Sequence, residues 1–409
     1  MKQNIVFITT GFLPVPSIKG GAVETLIDNL IYSNEEKHKY NFTVFSIFDE
    51  KAFEKADNLL YTNIIFYKAP KVIKFIDKVI YLVLTTLFKK EKKAAYKYLV
   101  QRVFYLNYVS KKLSVNNFDK IIIENNPTLF LALKWRHNYK KYANKYYYHL
   151  HNEINDFYGC KEIMRSCNSI ICISKYIQDY VIKRLDLDKN KTCILKNCID
   201  LKKFSVNIPL SEKTKLRKKY KIDSDDFLVI FTGRIIREKG ILELLDSMAL
   251  IENPKIKLLI IGSSFSSSNL NSDFEIELKK KAEKLGNRII FTGYVDYNEI
   301  NKYYSIADVA ALPSMWEEPA GLTILEACAS KLPLITTYSG GIPEYVDKNS
   351  VVLLNRNQKI VMTLKNEIIS LYNKDKYILN EIGNNNFENS KQFDLDNYYK
   401  NFDSVIKKI

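Results

Sequence analysis

The sequence predicts an α/β protein with two doubly wound, Rossmann-like parallel sheets, and three observations support this prediction. At 409 residues the chain is too long for one ordinary hydrophobic core. Short β-branched runs alternate with longer amphipathic segments, as they do in βαβ units. The alternation stops at a polar, lysine-rich stretch around residues 208–221 and starts again at Phe227. We expect the two domains to face a central cleft, because ligands of such sheets bind beyond the carboxyl ends of the strands.

The first half contains six predicted strands and at least two long predicted helices. Each strand is a short run of β-branched or aromatic residues, and each helix carries apolar residues at the spacing of one helix face. The predicted strands are residues 5–10, 42–48, 64–67, 120–124, 146–150 and 170–174, and the helices include residues 23–32 and 97–113.

The second half repeats this order. Its predicted strands are residues 227–232, 257–261, 288–291, 309–312 and 334–337. We place the first domain at residues 1–205 and the second at residues 206–388. The remaining segment, 389–409, is polar and then amphipathic, which predicts a final helix.

Composition limits the classes of protein and of partner. Hydrophobic residues make up 46% and charged residues 26%, which is typical of a globular protein. The net charge of +16 favours phosphate-rich partners, namely nucleotides, nucleic acid or an anionic membrane, and its sign alone does not choose among them. The six cysteines include no Cys-x-x-Cys pair, so we expect reduced core residues of a cytoplasmic protein.

A stretch with two carboxylates, from Glu318 to Glu326, is a strong local signal of a ligand site. A turn at Gly321 precedes a predicted helix with one apolar face, which starts at Leu322. The backbone N–H groups of Gly321, Leu322 and Thr323 would then be free to bind phosphate. A nucleotide sugar, with hydroxyls on both sides of a diphosphate, would suit the two carboxylates. The alternative is that Glu318 flanks a helix and Glu326 is a solvated acid.

Glycine pairs follow two predicted strands, at Gly20-Gly21 and at Gly340-Gly341. A glycine pair lets the backbone approach a ligand closely and leaves the N–H groups of the next helix exposed. Neither pair belongs to a Gly-x-Gly-x-x-Gly motif, so nothing favours a nicotinamide or flavin cofactor. The alternative for Gly20-Gly21 alone is an ordinary turn, and the repeat of the arrangement at Gly340-Gly341 favours a ligand site.

A basic loop at residues 233–240 follows the first strand of the second half. It contains Arg234 and Lys239, and a helix is predicted to start at Gly240. We expect the two cations to meet if the loop folds back, and together with the helix start they would hold a diphosphate. The alternative is a solvated basic loop.

Taken together, these motifs resemble the family-4 glycosyltransferases of the GT-B fold, of the type that builds bacterial surface polysaccharides. The resemblance covers most of residues 3–350. The motifs that carry it are Gly20-Gly21 with Glu24, Ile173-Ser174-Lys175-Tyr176-Ile177, Lys196-Asn197-Cys198-Ile199-Asp200 with Phe204, Gly233-Arg234 with Lys239-Gly240, Glu318 with Glu326, and Gly340-Gly341-Ile342-Pro343-Glu344.

The resemblance implies a retaining transferase that uses a nucleotide-activated sugar and needs no metal ion or other cofactor. Arg234 and Lys239 match the positions that hold the donor diphosphate. Glu326 matches the acceptor of hydrogen bonds from the ribose, and Glu318 matches the carboxylate that contacts the sugar. A uridine diphosphate (UDP) sugar is expected from family frequency.

Further residues take their roles from the same resemblance. The N–H groups of Leu322 and Thr323 match those that bind the donor phosphate, and Gly20 and Gly21 match the loop of the first domain that closes over the reaction centre. His151 matches a catalytic histidine near the sugar. In this fold the last helix commonly crosses back onto the first domain, so we expect residues 389–409 to pack there.

Two histidines, His149 and His151, lie at the carboxyl end of the predicted strand 146–150. Because successive side chains of a strand point to opposite faces, both histidines would lie on the same face. We expect His151 to be functional and His149 to be structural, and the alternative for His151 is a satisfied core histidine. The segment 124–127, Glu-Asn-Asn-Pro, also ends a strand and either contacts the acceptor or forms a capped turn.

Residues 71–113 hold eleven Lys or Arg and two acidic residues, with aromatic residues between them. Such a composition at helical spacing suits a helix on an anionic membrane. The alternative is a domain core with a solvated basic rim. Nucleic acid is not an expected partner, because the lysines lie outside any recognisable nucleic-acid module.

The sequence therefore predicts transfer of a sugar to a glycan or lipid-linked oligosaccharide at the cytoplasmic face of the cell membrane. Two other functions stay open. One is a different GT-B enzyme, such as a nucleotide-sugar epimerase or a glucan synthase. The other is a non-catalytic membrane scaffold, for which Glu318→Ala and Arg234→Ala would change nothing measurable.

Overall fold

A computed structural model describes residues 2–87, 98–262 and 273–408, and the chain forms two compact units. The first unit is Met1–Asn197 with Leu395–Ile409, and the second is Cys198–Asp394. The divisions predicted from the sequence are 205/206 and 388/389. The first division lies earlier because the N–H of Ile199 donates to the carbonyl of Phe393 and Phe204 packs on Tyr304, both in the second unit.

Each unit is built on one parallel sheet. The strands of the first sheet are β1 (Asn4–Ile8), β2 (Asn41–Ile47), β3 (Thr62–Tyr67), β4 (Lys120–Glu124), β5 (Tyr146–Leu150), β6 (Ser169–Cys172) and β7 (Thr192–Ile194). Those of the second are β8 (Phe227–Thr232), β9 (Ile256–Ile261), β10 (Ile289–Gly293), β11 (Val309–Leu312), β12 (Leu334–Thr337) and β13 (Val352–Leu354).

Helices connect these strands. In chain order they are α1 (Ala22–Lys37), α2 (Glu50–Ala56), α3 (Lys71–Leu87), α4 (Leu99–Val115), α5 (Phe130–Lys134), α6 (Asn138–Lys141), α7 (Lys161–Arg165), α8 (Lys175–Leu185), α9 (Leu201–Phe204), α10 (Leu210–Lys219), α11 (Ile241–Ala249), α12 (Asp273–Leu285), α13 (Ile300–Tyr304), α14 (Leu322–Ala329), α15 (Ile360–Tyr372), α16 (Lys376–Ser390) and α17 (Leu395–Lys408).

The strand orders are β3-β2-β1-β4-β5-β6-β7 and β10-β9-β8-β11-β12-β13. In each sheet the order reverses beside the first strand, between β1 and β4 and between β8 and β11. Ligands of open α/β sheets bind where the order reverses, beyond the carboxyl ends of the strands. The loops after β1, β4, β8 and β11 are therefore the places to look for a site.

The predicted fold class is confirmed: both units are parallel-sheet, Rossmann-like α/β domains. The central strands are buried along their whole length, which is why they read as continuous apolar runs. The prediction missed β7 and β13. Each is a three-residue strand at a sheet edge and is partly exposed, so each gives only a short signal in the sequence.

The final helix, α17, packs on the first unit. Tyr399 donates a hydrogen bond to Asn34 at 2.8 Å, and the hydroxyl of Tyr40 donates to Asp403 at 2.7 Å. The ring of Phe402 stacks on Phe7 of β1, with 6.1 Å between ring centroids. These contacts explain why the last residues belong to the first unit.

Helix α3 presents an apolar stripe to solvent. The exposed residues of the stripe are Val72, Phe75, Ile76, Val79, Leu82 and Val83. The opposite face is held down by Asp77, whose carboxylate accepts hydrogen bonds from the N–H groups of Val100 and Gln101 at 2.8 and 3.0 Å at the start of α4. No described helix is long and apolar enough to cross a membrane.

Candidate functional site

A pocket of about 280 Å³, counting the space open to solvent, lies in the second unit where its strand order reverses. It receives residues from the loops that follow β8 and β11 and from the start of α14. Its lining residues are Phe231, Thr232, Lys239, Leu312, Ser314, Glu318, Gly321, Thr323, Ile324 and Ile342. Four of the residues predicted from the sequence, Lys239, Glu318, Gly321 and Thr323, thus share one pocket.

Glu318 and Lys239 form an ion pair inside this pocket. The Nζ of Lys239 lies 2.5 Å from Oε2 of Glu318, and both side chains are largely buried. The same oxygen accepts hydrogen bonds from Nε1 of Trp316 at 2.9 Å and from Oγ of Ser314 at 3.2 Å. These donors fix the position of the carboxylate, so that a cation and an anion are presented side by side.

The backbone at Glu318 is held by the glycine pair Gly340-Gly341. The N–H of Gly341 donates to the carbonyl of Glu318 at 2.7 Å, and the N–H of Gly340 donates to Oε2 of Glu317 at 2.6 Å. A Cβ on Gly340 would lie 2.3 Å from the Glu318 carbonyl oxygen, and its φ is +48°. The N–H groups of Gly340 and Gly341 therefore bind the neighbouring loop and are not available to a ligand.

The start of α14 is as predicted from the sequence. The helix begins at Leu322 after Gly321, whose carbonyl accepts hydrogen bonds from Ile324 and Leu325. The N–H groups of Leu322 and Thr323 precede the first possible i−4 acceptor of the helix, so they can donate to a ligand in the pocket. Such groups and the helix dipole favour an anion.

Glu326 lies one turn further into α14 and is 6% exposed. Its Oε2 accepts a hydrogen bond from the hydroxyl of Tyr304 at 3.0 Å. Burial raises the pKa of Glu326 to about 7, against the opposing effects of the Tyr304 hydrogen bond and the charge of Lys203. The alternative that Glu326 is a solvated acid is therefore wrong.

Arg234 lies in the loop after β8 and is exposed. It is not among the described residues that line the pocket, whereas Lys239 of the same loop is. Gly240 follows with φ +71°, and a Cβ there would lie 1.8 Å from the carbonyl oxygen of Pro313, so the loop after β8 packs tightly against the loop after β11. The role of Arg234 on a diphosphate stays a prediction.

In the first unit the loop after β1 carries Gly20 and Gly21, with φ +74° and +107°. A Cβ on Gly21 would lie 2.4 Å from Oε2 of Glu24 in the first turn of α1. The other oxygen of Glu24 accepts a hydrogen bond from Oγ1 of Thr10 at 2.9 Å. The glycine pair therefore forms a tight turn onto α1, and its closure over a reaction centre stays a prediction.

His151 and His149 share one buried carboxylate, that of Glu124 at the end of β4. Oε2 of Glu124 lies 3.1 Å from Nε2 of His151 and 3.1 Å from Nδ1 of His149. Burial would raise the pKa of Glu124, but the charges and hydrogen bonds of the two histidines lower it to about 2. Burial and the neighbouring His149 lower the pKa of His151 to about 4. Near neutral pH an ionised Glu124 therefore accepts from a neutral His151.

From the sequence, the segment 124–127 is predicted either to contact the acceptor or to form a capped turn, and no contact of Glu124 with the histidines is predicted. Segment 124–127 does form that turn, because Oδ1 of Asn126 accepts from the N–H of Thr128 at 3.0 Å. The signal that was missed is the pair of adjacent parallel strands, since Glu124 of β4 is in register with His149 of β5. The ligand atoms of Glu124, His149 and His151 lie within 4.8 Å of one another, a spacing that also suits a metal ion. That the reaction needs no metal stays a prediction.

Two pocket residues, Ser314 and Thr232, and the nearby Trp316 make contacts that the sequence does not predict. Ser314 and Trp316 donate to Glu318, and Thr232 contacts the hydroxyl of Tyr304 at 2.5 Å. Thr232 ends β8 and Ser314 follows β11. The sequence does not show that these two strands are neighbours in the sheet.

Comparison with known proteins shows a family likeness for most of the second unit. Residues 212–388 match the family model described as Glycosyl transferases group 1. The chain is 28% identical over 358 residues to the putative glycosyltransferase YtcC of Bacillus subtilis (strain 168), covering 84% of this chain and 77% of that protein. It is 32% identical over 204 residues to an alpha-monoglucosyldiacylglycerol synthase of Acholeplasma laidlawii, covering 49% of each.

The fold also matches solved structures. The crystal structure of Anabaena Alr3699/HepE in complex with UDP and glucose superposes with a TM-score of 0.74 at 18% identity, covering 100% of both chains. At this identity the likeness shows the fold alone. The fold of the two parallel-sheet units is thus a known architecture.

Proposed function

The protein is a glycosyltransferase with a group 1 domain at residues 212–388, and from this premise we propose a more specific reaction. It transfers a sugar from a nucleotide diphosphate donor, a UDP-sugar, to a hydroxyl of a lipid-linked glycan during synthesis of a bacterial surface polysaccharide. The transfer retains the anomeric configuration and uses no metal ion.

The observation that supports this reaction best is the pocket shared by Lys239, Glu318 and the start of α14. Breaking a sugar–phosphate bond builds negative charge on the leaving diphosphate and positive charge on the anomeric carbon. An ammonium group and helix-start N–H groups stabilise the first charge, and a fixed carboxylate near the ring stabilises the second. The ion pair holds both kinds of group in one place before a donor arrives.

Donor binding must then rearrange this ion pair. A diphosphate carries more negative charge than Glu318 and competes for the ammonium group of Lys239. Glu318 keeps two donors, Trp316 and Ser314, when Lys239 turns to the phosphate. The carboxylate therefore stays in position to contact a sugar hydroxyl.

The choice of a uridine nucleotide is supported by the fold comparison, since Alr3699/HepE, which has the same architecture, was crystallised with UDP and glucose. A lipid-linked acceptor is supported by the relative whose name is alpha-monoglucosyldiacylglycerol synthase. It is also supported by helix α3, whose apolar stripe faces solvent.

We assign that stripe to contact with an anionic membrane. Lys71, Lys74 and Lys78 are exposed on the same helix, beside Phe75 and Leu82. Apolar residues flanked by lysines match the boundary between acyl chains and anionic head groups. The alternative, a domain core with a solvated basic rim, describes α4 better, because Tyr105, Val109 and Leu113 are buried there. The part of the predicted stretch at residues 88–97 lies outside the described residues.

Turnover tests the proposed reaction. A panel of UDP-sugars is incubated with lipid-linked acceptors and excess EDTA, and the anomeric configuration of the product is read by NMR. We expect transfer with retention that EDTA does not abolish. Glu318→Gln should lower turnover by at least about 100-fold, because it removes a charge that acts in the transition state. The exposed Glu381→Gln is the matched control.

Three results would contradict the proposal. Inversion would exclude the retaining mechanism, and loss of activity with EDTA that is restored by a divalent metal would exclude the metal-free site. Consumption of the donor sugar without any acceptor would indicate an epimerase instead.

A further inference from the structure

An arginine of the first unit, Arg102 near the start of α4, lies where the strand order of its sheet reverses. Its Nε donates a hydrogen bond to Oγ1 of Thr128 at 2.9 Å, in the segment that follows β4. Its Nη1 donates to the carbonyl of Thr10, in the loop that follows β1. Because β1 and β4 are the neighbouring strands at the reversal, the guanidinium group lies at the edge where open α/β sheets bind their ligands.

The groups that hold this guanidinium are all neutral. Its Nη2 also donates to Oγ1 of Thr128, and its Cζ lies 4.2 Å from the ring centroid of Phe12. Thr128 donates its own proton to Oδ1 of Asn126 at 2.8 Å, so its oxygen is left to accept from the arginine. Within residues 2–87, 98–262 and 273–408, no carboxylate forms an ion pair with Arg102.

Two N–H groups of Arg102 are left for a ligand. A guanidinium has five N–H donors, and hydrogen bonds to the described residues use one each on Nε, Nη1 and Nη2. One N–H therefore remains on each terminal nitrogen. Two such donors on one planar group fit two oxygens of a phosphate.

The surroundings of Arg102 also favour an anionic ligand. The side chain is partly buried, and burial lowers its pKa to about 10, so the group is still charged near neutral pH. A partly buried charge without an opposite charge costs free energy, which an anion would offset.

Apolar side chains that are exposed to solvent flank Arg102 on α4. They are Leu99, one turn earlier, and Val103, the next residue. The apolar stripe of α3 belongs to the same pair of helices, because Asp77 of α3 accepts from the N–H groups at the start of α4. A ligand that joins a phosphate to a hydrocarbon chain would contact both the cation and this apolar surface. A free phosphate would contact only the cation.

We propose that Arg102 binds a phosphate group of the lipid-linked acceptor, with the lipid chain against the exposed apolar residues of α3 and α4. Thr128 holds the guanidinium in the direction that this contact needs. The proposal deepens the proposed function and rests on it, because it takes the acceptor to be lipid-linked and names the part of the acceptor that the first unit recognises.

Calorimetry with two probes that share one hydrocarbon chain measures what the phosphate contributes to binding. The probes are dodecyl phosphate and dodecyl maltoside, each below its critical micelle concentration. Arg102→Met removes the charge, and Arg102→Lys keeps the charge without the paired N–H groups. The matched control is Arg184→Met, since Arg184 is an exposed arginine of the same unit whose Cζ lies 4.7 Å from the ring centroid of Phe157.

We expect the unaltered protein to bind dodecyl phosphate at least about ten-fold more tightly than dodecyl maltoside, the size of one charged hydrogen bond. Arg102→Met should remove most of this preference and leave the affinity for dodecyl maltoside unchanged, whereas a general loss of structure would weaken the binding of both probes. Arg102→Lys should keep part of the preference, and Arg184→Met should keep all of it.

Four results would overturn the proposal. The first is an unchanged preference in Arg102→Met, and the second is equal binding of both probes by the unaltered protein. The third is displacement of dodecyl phosphate by an equal concentration of UDP, which would assign the site to the donor. The fourth is loss of binding of Arg102→Met to vesicles of phosphatidylglycerol, which would assign the contact to any anionic head group.

A second pair of variants applies if Arg102→Met does not fold. Thr128→Val removes the hydroxyl that holds the guanidinium, and Thr128→Ser keeps it. The preference for dodecyl phosphate should fall in the first variant and persist in the second, and an equal preference in both would overturn the proposal.

Titration of UDP into the same proteins keeps this test separate from that of the proposed function. Arg102→Met should bind UDP as tightly as the unaltered protein does, because Arg102 belongs to the first unit and the pocket with Lys239 to the second. Failure of the unaltered protein to bind UDP would contradict the proposed function, whatever the result with dodecyl phosphate.

Discussion

At the scale of single residues, the burial of a carboxylate at Glu326 gives the protein a pH-dependent stability. The pKa of Glu326 is raised to about 7, chiefly by burial, and an unfolded glutamate titrates near 4.3. Between these values the folded chain keeps a proton that the unfolded chain has lost. Stability therefore falls as pH rises through this window, and the whole penalty is present above about pH 7.

Glu326→Gln should remove this penalty, since glutamine keeps the shape of the side chain and does not ionise. Near pH 8 we expect the variant to be more stable than the unaltered protein by about 2–4 kcal/mol, which is the pKa difference expressed as free energy. Near pH 4 the two should be about equally stable. Urea unfolding at pH 4, 6 and 8 measures the difference.

The exposed Glu252→Gln is the control for Glu326→Gln, and its stability should follow that of the unaltered protein at every pH. Two unfolding curves for Glu326→Gln and unaltered protein that stay parallel from pH 4 to 8 would contradict the account. A gain in stability combined with weaker nucleotide binding would show that the acid is kept for its ligand and not for the fold.

Residue types in a motif can be predicted from the sequence more readily than their partners. The sequence predicts Lys239 and Glu318 as members of one site, because the loops that carry them follow strands of one sheet. It does not predict that they bind each other, since this depends on how the two loops pack. For the same reason the sequence does not predict that the N–H groups of Gly340 and Gly341 bind the loop that carries Glu318.

At the scale of elements, helix α3 carries its apolar residues on the wrong side for a core helix. Helical periodicity alone shows that one face is apolar and does not show which way that face points. Here Ile73 and Asp77 point inward and the stripe around Phe75 points to solvent. The carboxylate of Asp77 at the start of α4 fixes this orientation.

Introducing acidic residues into the apolar stripe tests membrane contact. We expect the protein to float with vesicles of phosphatidylglycerol and much less with phosphatidylcholine, because both apolar burial and lysine attraction are needed. The double variant Phe75→Glu and Leu82→Glu should lose most of this binding. Leu60→Glu, at a residue that is 84% exposed outside the stripe, is the matched control.

Two outcomes of the flotation assay would contradict membrane contact. The first is equal binding of the double variant and the Leu60 control. The second is equal binding of the unaltered protein to both lipids. A thermal unfolding curve for each variant shows that any lost binding does not come from a lost fold.

At the scale of the whole molecule, the fold class follows from the sequence because parallel strands are buried on both faces and read as apolar runs. The five central strands β4, β5, β8, β11 and β12 agree with the predicted bounds to the residue. The short edge strands cannot be predicted from the sequence. The exact limits of the two units cannot be predicted either, since they depend on contacts such as that of Ile199 with Phe393. From the sequence, the candidate site can be predicted only as a set of loops at one edge of each sheet.

The central claim is that the pocket of the second unit binds the diphosphate of a nucleotide through Lys239. Calorimetric titration of UDP into the unaltered protein, Lys239→Ala and the exposed-lysine control Lys374→Ala tests it most directly. We predict that Lys239→Ala weakens binding by at least about ten-fold, the size of one charged hydrogen bond, and that Lys374→Ala leaves it unchanged. Equal affinity of all three proteins for UDP would contradict the account.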